Sequence, residues 1–141
     1  MLKEKTLQDK KLDLQRELNE EIKKTLIEQG FEWSDDGLFN LTEKQFIEIV
    51  KLFHRFNGST HRGYCSLDDT MGRFDIDFSK FEIEENVHLG NVLKLIKKDG
   101  QTVGRLILEN KNIDFYTSVS KKDFWYDIYI HNTLITLKPI F

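Results

Sequence analysis

The chain has no alanine, one proline (Pro139) and one cysteine (Cys65) among its 141 residues. A lone cysteine excludes an internal disulfide, and no Cys/His spacing matches a zinc site. No low-complexity run, internal repeat or domain linker interrupts the sequence. The missing alanine, with Lys, Ile, Asn, Glu and Phe in its place, points to an AT-rich coding source such as a low-GC bacterium or its phage. No hydrophobic run approaches the length needed to cross a bilayer. Met1-Leu2-Lys3-Glu4-Lys5 leads into charged helix with no apolar signal core. The expected protein is therefore soluble and cytoplasmic, in the host cytoplasm if phage-encoded, with no membrane partner. Positive charge is also short. The net charge is −3, and Lys is used far more than Arg. That balance argues against direct binding to duplex nucleic acid, which normally needs a basic face.

What is present is aromatic. Eleven Phe, four Tyr and two Trp offset a modest hydrophobic fraction of 39% with large, rigid contact area. A chain of this length buries roughly 70% of its unfolded surface and folds without staples. One domain is the natural expectation.

The first half has helical periodicity. Over residues 3–29, Leu14, Leu18, Ile22 and Leu26 recur every four positions, with Leu7 one heptad before Leu14. Gly30 fits a C-terminal cap. The stripe is thin. It suits a helix packed along one edge of a sheet, or a coiled-coil arm for homodimerisation or partner capture. Phe31-Glu32-Trp33 and Leu38-Phe39 flank Ser34-Asp35-Asp36-Gly37, a tight-turn signal that suggests a very short hairpin. Thr42 and Gln45 then make a capping box, with Leu41 and Phe46 placed as a hydrophobic staple. Phe46, Ile49, Val50 and Phe53 line one face of the second helix, which Asn57-Gly58 ends.

From Arg73 onward the period is two. Arg73–Phe78 alternates strictly, as do Phe81 and Ile83 with Glu82 and Glu84. Val92–Lys97 and Thr102–Leu108 flank a hairpin turn at Lys98-Asp99-Gly100-Gln101. Asn112–Ser118 is expected to pair next, followed by Phe124–His131 and Thr133–Lys138 around a tight turn at Asn132. Short loops between successive strands imply antiparallel neighbours. The expected fold is a single α+β domain over residues 1–141. Two N-terminal helices (1–57) pack with a C-terminal antiparallel β-meander of five to six strands (73–141). The second helix covers the apolar face. Residues 57–72 are expected to be the longest irregular stretch.

That stretch falls within the chain's most distinctive chemistry. His54, Arg55, His61, Arg62 and Tyr64 fall within eleven residues that contain no carboxylate, and Arg73 follows. Forked guanidinium donors beside Gly, Ser, Asn and Thr suit a phosphate or carboxylate ligand. The competing reading is a solvated loop, with Arg73 pairing with Asp75 or Asp68.

Other constellations fall short. Asp75 and Asp77 share a strand face, and Glu109-Asn110-Lys111 has the acidic-x-Lys form of metal-dependent nucleases. That triplet belongs inside a central strand, whereas here it sits at a turn. His131-Asn132-Thr133 is a single H-x-T triplet where two-histidine phosphoesterases need a pair. Cys65 has His61 and His54 nearby in sequence, but nothing beyond proximity marks it as a nucleophile. No nucleotide fingerprint, P-loop or nucleophile elbow occurs. No catalytic residue, metal site or cofactor is expected.

The aromatic strand Phe124–Ile130 has two unlike faces. Phe124, Tyr126, Ile128 and Ile130 read as core. Trp125, Asp127 and Tyr129 have the composition of a protein-binding hot spot, unless the first helix covers them. The expected function is a small, acidic, non-enzymatic protein-binding protein. It would be an inhibitor or immunity-type protein of a phage or mobile element that occludes a partner enzyme, including nucleic-acid enzymes. Glu82, Glu84, Trp125, Asp127 and Tyr129 are its candidate contacts. The alternative is a nucleotide- or phosphate-binding protein or enzyme that uses the 54–73 segment.

Overall fold

The computed structural model describes residues 7–55, 61–69, 72–121, 123–131 and 133–139. Side chains are described for 10–54, 78–121, 123–131 and 133–138. The chain is α+β. Helix α1 spans Leu7–Glu28, strand β1 spans Leu38–Leu41, and helix α2 spans Glu43–Arg55. Eight strands follow: β2 (His61–Asp69), β3 (Gly72–Phe78), β4 (Lys80–Asn86), β5 (Gly90–Ile96), β6 (Thr102–Ile107), β7 (Ile113–Val119), β8 (Phe124–Ile130) and β9 (Thr133–Pro139).

The helices start and stop where local chemistry dictates. The Gly30 N–H donates to the Ile27 carbonyl and the Phe31 N–H to the Leu26 carbonyl, both at 3.0 Å. With Gly30 at φ 94°, this is a Schellman closure of α1. At α2 the Gln45 N–H donates to Thr42 Oγ1 at 3.2 Å, and the Thr42 N–H donates to Gln45 Oε1 at 2.9 Å. The expected capping box is therefore formed. Phe46, Ile49, Val50 and Phe53 are buried, and Leu41 joins the same cluster.

The single meander is corrected. Every pairing is antiparallel, but the strands form two sheets, a six-stranded one in the order β1-β7-β8-β9-β2-β3 and a three-stranded one in the order β4-β5-β6. The expected β5–β6 hairpin is present, as is the β7-β8-β9 run. Four connections break the meander. β1 pairs with β7, so Leu38-Phe39 joins the main sheet and not a hairpin with Phe31–Trp33. β9 pairs with β2. β3 does not pair with β4, nor β6 with β7. At the corner between the sheets the Ser79 N–H donates to the Ile96 carbonyl at 2.8 Å.

Residues 61–69 are likewise corrected from loop to strand. β2 lies between β9 and β3 and pairs with both. Residues 57–60 and 70–71 lie outside the described residues, as does Asn132.

One face of the six-stranded sheet carries Phe39, Leu41, Ile113, Phe115, Phe124, Tyr126, Ile128, Ile130, Ile135 and Leu137, all buried. Both helices pack there. Phe53 of α2 meets Tyr126 edge-on at 5.5 Å and Phe81 of the smaller sheet at 5.3 Å. That places one aromatic at the junction of both sheets and α2. From α1, Leu18, Ile22 and Leu26 are wholly buried. Asn19 Oδ1 accepts the buried Tyr126 hydroxyl at 2.6 Å. The α1 stripe is thus consumed inside the chain. Of Leu14, Leu18, Ile22 and Leu26, only Leu14 is exposed, and Ile27 of the last turn is exposed as well.

Candidate functional site

In an antiparallel ladder, residues directly opposite each other share a face. The registers therefore assign each candidate to a side of the six-stranded sheet. Tyr116 lies opposite Asp127, Asp127 opposite Thr136, Thr136 opposite Tyr64, and Tyr64 opposite Asp77. Lys138 lies opposite Arg62. This row belongs to the side away from the helices, since the alternate positions Phe115, Tyr126 and Ile135 form the core. α1 does not cover Trp125, Asp127 and Tyr129; it packs on the opposite face through Asn19 and Tyr126.

The outer face is ordered by its own contacts. Trp125 Nε1–H donates to Asp127 Oδ1 at 3.0 Å. Thr136 Oγ1–H donates to the same oxygen at 2.8 Å. Two neutral donors thus satisfy one half-buried carboxylate, and the indole is fixed in orientation. Lys138 Nζ sits 5.7 Å from the centre of the Trp125 ring, within cation–π range. Beside it, Tyr116 and Tyr129 meet edge-on at 5.3 Å, with 38% and 39% of their surfaces exposed. Leu38, opposite Tyr116 on β1, is 56% exposed. At the β1–β7 end, Asn40 Nδ2 donates to Asn112 Oδ1 at 2.9 Å and to Asp114 Oδ1 at 2.8 Å. A concavity of about 450 Å³ opens at the other end, lined by Asp36, Ser118, Val119, Ser120, Asp123, Trp125 and Lys138.

The proposed anion-site residues are divided. His54 and Arg55 stand on the last turn of α2. His61 takes the helix-facing register of β2, with Cys65, which lies opposite Ile135 and Ile76. Arg62 and Tyr64 take the outer register. Arg73 lies opposite Asp68 in the β2–β3 register, on the same outer side. The backbone therefore brings Arg62, Tyr64 and Arg73 onto one face with Trp125, Asp127 and Tyr129. It places His54, Arg55 and His61 elsewhere.

Glu82 and Glu84 lie on a different surface, the side of the three-stranded sheet opposite Phe81. Lys94 Nζ is 3.7 Å from Glu82, and an Arg105 guanidinium nitrogen is 3.9 Å from Glu84. Glu82 is balanced by its cross-strand partner on β5 and Glu84 by Arg105 of β6, beyond β5, so the two do not form an unopposed acidic patch. Glu109 and Asn110 form the turn between β6 and β7, with Asn110 at φ 58°. Among the described residues no group of three or more His, Cys, Asp or Glu is placed to hold a metal ion. Burial raises the Tyr126 hydroxyl far above its ordinary pKa, and that group is committed to Asn19. No described helix is long and apolar enough to cross a membrane.

Residue-by-residue reasoning missed Asn19, Tyr116 and Leu38. Only strand pairing brings Tyr116 and Leu38 beside Tyr129. The chain matches no protein-family model, no curated protein and no solved structure.

Proposed function

We propose that the protein is a non-enzymatic binding protein whose working surface is the outer face of the six-stranded sheet. The partner is another protein, whose activity is blocked by occlusion, as in an inhibitor or immunity-type protein of a phage or mobile element. The observation that carries this reading is the pre-ordered aromatic surface. Trp125 is held by Asp127 and Thr136, and the Tyr116–Tyr129 pair is exposed beside it. Aromatic rings already fixed in the free protein lose little side-chain entropy on binding, which is what a hot spot requires. Glu82 and Glu84 act less directly than an acidic-mimicry surface would need, because Lys94 and Arg105 offset them.

The alternative is a nucleotide or phosphate ligand. It draws support from one feature, the placement of Arg62 and Tyr64 in outer register beside Lys138 and Trp125. The carboxylates Asp36 and Asp123 around the same concavity oppose an anion there. The test is affinity capture from the organism that encodes the chain, with wild type and the Tyr116→Ala/Tyr129→Ala variant in parallel. One stoichiometric protein retained by wild type and lost by the variant supports the reading. Equal retention by a correctly folded variant would refute the outer face as the surface.

A further inference from the structure

The strongest feature outside that face is a groove of about 410 Å³ between α2 and β4. Ile47, Val50, Lys51 and His54 form its helix wall, and Glu82, Ile83 and Glu85 its strand wall. On α2 these positions follow the i, i+3, i+4, i+7 spacing of a single stripe, beside the Phe46, Ile49, Phe53 stripe that enters the core. The strand wall is more telling. Ile83 and Glu85 share the side of β4 that faces α2, with the buried Phe81, while Glu82 belongs to the opposite side. Asn91 of β5, directly opposite Glu85, completes the lining, so the groove lies between α2 and the α2-facing side of β4. β4 is an edge strand, since among the described residues it pairs with β5 alone. The free side of β4, beside this groove, carries backbone donors and acceptors that no described strand uses.

We propose that this edge is a second binding site, independent of the outer face, that takes an extended peptide of a partner protein by strand addition. The peptide lies antiparallel or parallel to β4, and alternate side chains enter the groove. Charge and polarity select its sequence. The residue beside Ile83 is apolar, against Ile47 and Val50. Of the groove's charged side chains, Lys51 pairs with Glu48 at 3.4 Å and Glu82 with Lys94 at 3.7 Å. The Glu85 carboxylate has no ion pair with any described residue. Opposite-charge pairs across neighbouring strands are favourable. The residue beside Glu85, two positions from the apolar one, is therefore basic. Asn91 Nδ2 donates to Glu43 Oε1 at 3.1 Å and ties β5 to the start of α2, which bounds the groove.

The probe is a short fluorescein-labelled peptide of alternating threonine in which isoleucine and lysine stand two positions apart. Fluorescence anisotropy against the intact chain should show saturable binding below about 1 mM. Glu85→Lys, at an exposed position, should weaken it roughly five- to tenfold, and replacing the peptide lysine with glutamate should restore it. N-methylation of the peptide backbone on the β4-facing edge should abolish binding. The proposal is overturned by the absence of saturable binding, or by indifference to the charge swap. Equal binding of the N-methylated peptide also overturns it, because the groove would then take an apolar ligand without strand addition.

Discussion

Removing one oxygen tests how α1 is attached to the sheet. The Tyr126 hydroxyl donates to Asn19 Oδ1 at 2.6 Å, and both residues are buried. Tyr126→Phe keeps the ring, its stacking on Phe115 and its contact with Phe53. It removes only the donor and leaves Asn19 Oδ1 dry and unpaired. A buried polar atom stranded in this way costs ~1–3 kcal/mol. For a domain of this size that is a fall in Tm of roughly 3–12 °C. Urea unfolding followed by circular dichroism should show a lower midpoint with an unchanged slope, because the surface exposed on unfolding is the same. The partner change gives the check. In the Asn19→Leu/Tyr126→Phe double variant both polar groups are gone, so part of the loss should return. The same group sets an alkaline limit. Its pKa in the folded chain is raised above the ordinary value of 10.0. The unfolded chain therefore ionises first, and stability present below pH 10 should fall as pH rises beyond it. Tyr126→Phe should flatten that decline. An unchanged midpoint for Tyr126→Phe, together with an unchanged alkaline limb, would refute the buried bond as the anchor of α1.

Three further outcomes are expected. Thr42→Ala removes the side-chain acceptor of the α2 cap and should cost ~1 kcal/mol in denaturant unfolding, whereas Thr42→Ser should cost little. Phe53→Ala empties the junction between Tyr126 and Phe81 and should cost ~3–5 kcal/mol, enough to threaten folding, as thermal melting of the soluble fraction will show. Calorimetry with a panel of nucleotides should give no heat at about millimolar concentration if the outer face is a protein surface. Heat that disappears in Arg62→Ala/Lys138→Ala would favour the small-ligand alternative.

Local signals in the sequence were reliable where local chemistry decides the structure. The Thr42–Gln45 box, the Gly30 cap, the helix face of Phe46 to Phe53 and the hairpin at Lys98–Gln101 depend on residues a few positions apart. Sheet order does not. A meander follows if consecutive strands pair, and nothing in Lys80–Asn86 records that Ser79 turns the chain into a second sheet. β2 was illegible for a related reason. Its helix-facing positions are His61, Gly63, Cys65 and Leu67, too poor in branched and aromatic residues to announce a strand. Its two neighbours, β9 and β3, impose the extended state. The candidate site inherits both effects. Trp125, Asp127 and Tyr129 were legible as one strand face. Their union with Tyr116, Leu38, Arg62 and Tyr64 exists only through registers that join strands distant in sequence.

Site-specific photo-crosslinking tests the central claim most directly. A benzophenone side chain is placed at Tyr129, and separately at Asp99 in the exposed β5–β6 turn, and each protein is irradiated in a lysate of the encoding organism. The account predicts one discrete protein adduct from position 129 and none from position 99. Adducts from position 99 alone, or no adduct from 129 under conditions where wild type captures a stoichiometric partner, would contradict it.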